Sequence, residues 1–243
     1  MFTLFQTDIK HCQIPDGLSL LVDNKPHELS LLAAAELQHL LSHSETLFHN
    51  FGLHETTESA IIGKMFGVLA VQLNTGEYGY LAAFSGKLGG KNTYREFVPP
   101  VFDLLTEGSF LNLGMQDLTR MNEEIRALEQ NDPELKALKS SRRSHSIALQ
   151  KQIFEQYYFL NQKRTQKSLL EIFEDAGYKN PPAGAGECAG IKLLQYAFQH
   201  GMKPLALAEF WWGQSPKSAT WKHGQFYPCC KEKCEPILKH MLS

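Results

Sequence analysis

Four of the five cysteines lie in two short stretches near the C-terminus, and thiols gathered in this way can bind a metal ion. Cys188 follows the glycine-rich turn of "PPAGAGECAG", at the start of a predicted helix. Unpaired backbone N–H groups and the helix dipole favour an anion there, such as a thiolate. The other three, Cys229, Cys230 and Cys234, lie in "PCCKEKC".

The spacing of Cys230 and Cys234 can bring their sulfurs together in two backbone conformations. Residues four apart share one face of a helix. Pro236 instead favours a helix that begins just before it, with both cysteines in the preceding turn. With Cys188 they form three soft ligands, and His223 is the candidate fourth in a set that suits Zn²⁺. The alternative is that the cysteines bind no metal and pack as small hydrophobes.

Glu187 immediately precedes Cys188 and suggests a comparison with zinc-dependent base deaminases. Those enzymes place one ligand at the start of a helix and two in a Pro-Cys turn that opens the next, with a glutamate that carries protons. Their glutamate follows the first ligand by two residues, whereas Glu187 precedes it, and "PCCKEKC" departs from Pro-Cys-x-x-Cys. Glu187 is therefore the catalytic candidate only under a deaminase-like alternative.

The composition limits the classes to which the chain can belong. An odd number of cysteines, clustered late in 243 residues, does not form a disulfide framework. No apolar run reaches the roughly 18–20 residues that span a bilayer, and the N-terminus lacks a signal-peptide pattern, so we expect a cytoplasmic protein. The net charge of −2 excludes a globally basic nucleic-acid binder.

A local basic segment lies between Glu134 and Lys167, where eight lysines and arginines accompany two glutamates. A concentrated basic face attracts phosphates even on an acidic protein, because each contact releases counterions. The alternative is an ordinary solvated helical face. The residues predicted to contact RNA are Arg142, Arg143, Lys163, Arg164 and Lys167.

The hydrophobic pattern predicts an α/β or α+β body with a mixed sheet. Leucines and alanines recur at helical spacing after Ser30, a candidate N-cap. Two apolar runs around "NTGE" predict a β-hairpin in which Asn74 and Gly76 take positive φ. A helix ending at Gly201, a buried strand "KPLALAEFWW" and a final turn or helix follow. This order of elements is reminiscent of the cytidine-deaminase-like fold.

A helical insertion is predicted to divide this body. The pattern is helical after residue 115, with one break at "NDPE", where Asn131 or Asp132 can cap a long helix over about 133–162. Such a hairpin also suits an oligomerisation or partner-docking role. The predicted parts are the N-terminal half of the body over residues 1–114, the helical hairpin over 115–176, and the cysteine-bearing half of the body over 177–243.

Six stretches of the chain resemble one protein family. They are "GKMFGVLAVQ", "GYLAAFSGKLGGKN", "FVPPVFDLL", "PPAGAGECAGIKLLQYAF", "KPLALAEFWWGQSP" and "HGQFYPCCKEKCEPILKHML". Together they look like the N-terminal region of large bacterial RluA-type pseudouridine synthases. In that family a catalytic module follows this region, with its aspartate in an Arg-Leu-Asp context. No Arg-Leu-Asp occurs in this sequence, which stops about where that module would begin.

The resemblance implies a context of RNA modification without the residues that isomerise uridine. The function of a family does not pass automatically to its appended domain. The leading hypothesis is an accessory domain that associates with ribosomal or transfer RNA, holds a zinc ion and does not itself make pseudouridine. The alternatives are a zinc-dependent base- or nucleoside-modifying enzyme with Glu187 near the metal, and a structural oligomerisation or docking domain.

Overall fold

The computed structural model describes residues 1–20, 25–43, 51–53, 63–130, 132–216 and 220–243. The first elements are a short strand, β1 (Thr3–Leu4), and the predicted N-terminal helix, α1 (Glu28–His43). Ser30 is not the N-cap, because α1 begins two residues earlier. Its buried hydroxyl donates instead to the His27 carbonyl at 2.7 Å, which satisfies a polar group that has no access to water.

The predicted β-hairpin forms the centre of the main sheet. Strand β2 (Lys64–Gln72) pairs antiparallel with β3 (Tyr78–Phe84) across the "NTGE" turn. Gly76 takes a φ of +93°, as predicted, but Asn74 does not take positive φ. One glycine suffices because this loop is longer than the two-residue type that needs positive φ at both positions.

Two long antiparallel helices confirm the predicted helical hairpin. They are α2 (Phe110–Ala127), which starts five residues earlier than expected, and α3 (Pro133–Phe154). Asp132 caps α3 by accepting from the Glu134 N–H at 2.8 Å. The other predicted cap, Asn131, lies outside the described residues.

The second helix of the hairpin is shorter than predicted. It ends at Phe154 and is followed by strands β4 (Tyr158–Leu160) and β5 (Gln166–Ser168), which pair antiparallel, and by helix α4 (Leu169–Asp175). The backbone leaves the helical path here because tertiary contacts hold it: the Leu160 N–H donates to the Gln195 side chain at 3.0 Å. Residues 158–175 thus pack on the α/β body and do not continue the helical hairpin.

The C-terminal elements follow in the predicted order. They are α5 (Ala189–Gln199), β6 (Lys203–Trp212) and α6 (Glu235–Met241), with a short strand β7 (Phe226–Tyr227) in the segment expected to be a loop. Gly201 takes a φ of +66° just after α5, the left-handed conformation predicted for the residue that ends this helix.

The main sheet has the strand order β1-β3-β2-β6-β7, and its strands pair antiparallel. The predicted mixed sheet is wrong in this respect, although Ser19 forms an isolated parallel bridge with Ala206. Helix α1 packs on one face of the sheet and α5 on the other. Phe66 lies in the core on the α1 side, and Leu69 in the core on the α5 side. The fold is mixed α/β, as predicted.

The helices expose little apolar surface outside the hairpin arm. Leu113 and Met115 on α2 and Ile147 on α3 are each more than half exposed. Among the helices in the described ranges, none has both the length and the apolar character needed to cross a bilayer.

Candidate metal centre

Three cysteine sulfurs meet where the N-terminus of α5 approaches the turn before α6. The Sγ atoms of Cys188, Cys230 and Cys234 all lie within 4.8 Å of one another. The Cys188–Cys230 separation is 4.0 Å and the Cys230–Cys234 separation is 3.2 Å. The predicted convergence of the three thiols is confirmed.

These separations suit a tetrahedral thiolate site. Zinc–sulfur bonds of about 2.3 Å in tetrahedral geometry place neighbouring sulfurs about 3.8 Å apart. The Cys188–Cys230 and Cys230–Cys234 separations bracket that value and the third lies within 4.8 Å, so side-chain adjustments of up to about 1 Å would let the sulfurs share one ion. In the described part of the chain, no other His, Cys, Asp or Glu joins the group.

Cys188 is held in place by the glycine-rich turn that precedes it. It is the N-cap of α5, with extended backbone (φ −71°, ψ 149°). Gly186, two residues earlier, has a φ of +90°, and a Cβ there would lie 2.9 Å from the Tyr157 ring. Only glycine fits this position without strain. The thiol therefore sits at a helix N-terminus, where the helix dipole would favour the thiolate form in a metal-bound state.

Cys230 and Cys234 are held by a turn that leads into α6. The Cys234 N–H donates to the Cys230 carbonyl at 3.2 Å, and α6 begins at the next residue, with Pro236 in its first turn. Of the two conformations that the spacing allowed, the protein adopts the turn before the helix. Buried side chains of α6, including Ile237, anchor this turn to the core.

The three thiols differ in exposure and in acidity. Cys234 is 1% exposed, Cys188 is half-buried and Cys230 is exposed. Hydrogen bonding with Cys188 and Cys234 lowers the pKa of Cys230. Hydrogen bonding to Cys230 raises the pKa of Cys188, and hydrogen bonding to both neighbours raises the pKa of Cys234. The cluster therefore favours one thiolate held between two thiols.

Glu209 on β6 links the two segments that carry the cysteines. Its Oε1 accepts from the Gly190 N–H in the first turn of α5 at 2.9 Å, and its Oε2 accepts from the Cys229 thiol at 3.1 Å. The side chain is buried, and burial raises its pKa. Sequence reasoning missed this residue, although it is the only acidic residue in the strand "KPLALAEFWW".

A small cavity of about 140 Å³ adjoins Glu209 and Cys229. Its wall also includes Leu207 and Leu238 from the core and Tyr227 from β7. Cys229 and Glu209 therefore both line the cavity, Cys229 does not join the other three thiols, and burial raises the pKa of Cys229.

Glu187, the catalytic candidate of the deaminase-like alternative, has its carboxylate in a separate buried network. It accepts a hydrogen bond from the Tyr157 hydroxyl and lies 3.5 Å from Lys192 Nζ. Lys192 is itself buried and donates to the carbonyls of Phe84 and Gly86 at 3.2 and 3.3 Å. Burial lowers the pKa of this lysine, whereas Glu187 opposes that change. Through Lys192, the carboxylate helps to hold α5 against the end of β3.

His223, the candidate fourth ligand, lies just beyond the C-terminal end of β6. Its Nδ1 accepts from the Gly213 N–H at 2.9 Å, and its ring contacts Trp212 with centroids 4.2 Å apart. The structure therefore does not bring it into the thiol group. Its imidazole closes the loop between β6 and β7.

The five residues predicted to contact RNA fall in two places instead of on one helical arm. Arg142 and Arg143 lie in α3, and Arg142 Nε donates to Asn122 of α2 at 3.0 Å. Lys163 and Arg164 are exposed in the β4–β5 turn. Lys167 on β5 pairs with Asp175. Because Arg142 lies twelve residues before the end of α3, about 18 Å of helix separates it from the start of the β4–β5 segment.

Comparisons of the chain with protein-family models, with curated proteins and with solved structures found no match.

Proposed function

We propose that this chain is a zinc-binding accessory module that associates with RNA. Cys188, Cys230 and Cys234 would hold the metal, and the observation that supports this is the convergence of their sulfurs within 4.8 Å. The ligands come from segments 42 residues apart in the sequence, so the ion would act as a cross-link between them.

A zinc ion at this position would stabilise a part of the fold that consists largely of turns. Residues 228–234 form turns between β7 and α6, and the turn before α5 contains several glycines. Bound zinc neutralises thiolate charge and fixes ligand positions, and its binding free energy adds to the free energy of folding. The ligand-bearing segments would then remain docked on the sheet through both the metal and Glu209.

The RNA association rests on the resemblance to pseudouridine synthase extensions and on the basic residues that face solvent. Arg143, Lys163 and Arg164 are exposed, and the last two sit at the tip of a tight turn. Arg164 has a φ of +63°, which directs this turn away from the regular strand path. Two basic sites on separate elements would contact separate stretches of phosphate backbone.

A second candidate function is a zinc-dependent base- or nucleoside-modifying enzyme. The specific observation in its favour is that, among the described residues, three protein ligands converge and not four, which is the pattern of catalytic zinc sites with an open position. The carboxylate linked to both ligand segments is Glu209 rather than Glu187. Release of ammonia from a cytosine or adenine compound would favour this function, and its absence with zinc bound would favour the accessory role.

Metal analysis tests the zinc proposal directly. Protein purified without chelator is expected to contain one zinc per chain, because the three sulfurs form a single site. The double variant Cys230→Ser/Cys234→Ser should lose this zinc, whereas Cys12→Ser, a change at a cysteine in the N-terminal segment, should retain it. Reduced wild-type protein that contains no zinc even after zinc has been supplied would contradict the proposal.

Salt-dependent binding tests the RNA proposal. Replacing Lys163 with Gln and Arg164 with Asn, which tolerates positive φ, should make the slope of log affinity against log salt shallower. The expected change is about 0.7 for each phosphate that the protein no longer neutralises. The Arg142→Gln/Arg143→Gln variant tests the second basic site by the same measurement of the salt dependence.

The matched control for this experiment replaces Lys10 and Lys91 with Gln, because both are exposed lysines outside the basic sites. An unchanged slope in every variant would mean that the basic residues form only a solvated surface. Concentration-dependent dimerisation without RNA binding would instead favour the docking role, for which the exposed apolar residues of the hairpin are the candidate surface.

A further inference from the structure

The three thiols of the cluster are arranged as an exposed sulfur with two sulfurs behind it. Cys230 is exposed, whereas Cys234 is 1% exposed and its Sγ lies 3.2 Å away. Cys188 lies farther from Cys230, at 4.0 Å. A reagent from solvent therefore meets Cys230 first, and the nearest partner for that sulfur is Cys234.

The backbone between Cys230 and Cys234 suits a disulfide bond. The Cys234 N–H donates to the Cys230 carbonyl at 3.2 Å, so the residues span one helix-like turn. One turn of this kind places the two Cα atoms about 6 Å apart, within the range of about 4.4–6.8 Å that disulfides occupy. The sulfurs can move from 3.2 Å to bonding distance through side-chain rotation, with the turn largely retained.

We infer that Cys230 is a site of oxidation by hydroperoxides and that Cys234 resolves the product as a disulfide. The Cys230 sulfur attacks the terminal peroxide oxygen, which breaks the O–O bond, releases water or an alcohol and leaves a sulfenic acid. The Cys234 sulfur then attacks that sulfenic sulfur and displaces water. Two thiols together give up two electrons and two protons, and the peroxide is reduced.

Cys229 is not the resolving thiol, although it is the immediate neighbour of Cys230. Its sulfur donates to Glu209 at 3.1 Å and lies over the first turn of α5, 3.5 Å from where a Cβ of Gly190 would be. The hydrogen bond and the half-buried position direct this thiol toward the carboxylate and away from the exposed sulfur.

The disulfide would take away two of the three ligands of the proposed zinc site and leave only Cys188. This consequence, unlike the disulfide itself, rests on the proposed function. Oxidation would then release zinc and remove the metal cross-link between the turn before α6 and the start of α5, so hydroperoxide would cause a loss of metal.

The test uses the full reduced chain, treated with hydrogen peroxide. Free thiols should fall from five to three per chain, and peptide mapping should show a link between Cys230 and Cys234. The Cys230→Ser variant should keep its four remaining thiols. The Cys234→Ser variant should instead accumulate a sulfenic acid at Cys230 that a dione reagent traps.

The outcomes separate this inference from the zinc proposal. A Cys230–Cys234 link in protein that never binds zinc supports the inference and removes the zinc proposal. If the protein binds zinc, but keeps all five thiols when its zinc is removed and peroxide is then added, the inference is overturned and the zinc proposal stands. A wild-type link from Cys188 to Cys230, or oxidation of Cys12 before Cys230, overturns it as well.

Discussion

Zinc removal is expected to lower the unfolding temperature of this protein by about 8–16 °C. A ligand present at a thousand times its Kd stabilises the folded state by about 4 kcal/mol. In a protein of this size each kcal/mol shifts the unfolding temperature by about 2–4 °C. Thermal unfolding of the zinc-loaded protein with and without a chelator, under reducing conditions, measures the difference.

Two cysteine variants determine whether this shift arises from the thiol cluster. Cys234→Ser removes a ligand that is 1% exposed, so this variant should unfold at nearly the same temperature with and without zinc. Cys12→Ser changes a half-buried cysteine of the N-terminal segment and should keep the full zinc response. An equal response to zinc in both variants would assign the metal to a site other than this cluster.

The elements predicted correctly from sequence are those whose signal is local. The hairpin has two apolar runs and a turn glycine, and α3 begins with its own cap at Asp132. The end of α3 has no such signal, because "SIALQKQIFEQYYFL" continues at helical spacing past the true end at Phe154. Contacts with distant residues hold the chain off the helical path after this end: the Gln162 N–H donates to the Met241 carbonyl at 3.0 Å. Sequence periodicity does not encode such contacts.

The position of His223 shows how an antiparallel pair separates residues that are close in sequence. Glu209 pairs with Tyr227, so the chain runs back along β6 as it passes from β7 to Cys229. His223 lies before this return, beside Gly213. Four residues of strand separate Gly213 from Glu209, which is about 13 Å. Closeness in sequence to the cysteines therefore suggests that His223 lies near the metal, whereas the strand register places it beyond the C-terminal end of β6.

The buried charges of the site were also beyond sequence reasoning. Lys192 appears as one more helical lysine in "AGIKLLQYAF", yet its ammonium group satisfies two carbonyls at the end of β3 and pairs with Glu187. A buried charge of this kind is stable only because its partners are arranged by the completed fold. The cysteines, in contrast, could be grouped from sequence because thiols are rare and lie in two short segments.

Replacing Glu209 with Ala is expected to weaken zinc binding by about 10–100-fold, the usual effect of removing a group that orients metal ligands. The substitution deletes the acceptor of the Gly190 N–H and of the Cys229 thiol, so α5 and the turn before α6 lose their common anchor. It also leaves a buried N–H without its partner, which costs about 1–3 kcal/mol. Competition titration with a chromogenic chelator measures the affinity, and denaturant unfolding of the metal-free protein measures the stability.

Glu209→Gln should restore most of the affinity, because its amide oxygen can accept from the Gly190 N–H while its amide nitrogen donates to the Cys229 sulfur. Glu232→Ala is the matched control: it removes a carboxylate from the same turn, but that side chain is exposed and lies outside the thiol group. Its zinc affinity should match that of the wild type. If Glu209→Ala lowers the stability of the metal-free protein and leaves its zinc affinity unchanged, Glu209 supports the core without positioning the ligands.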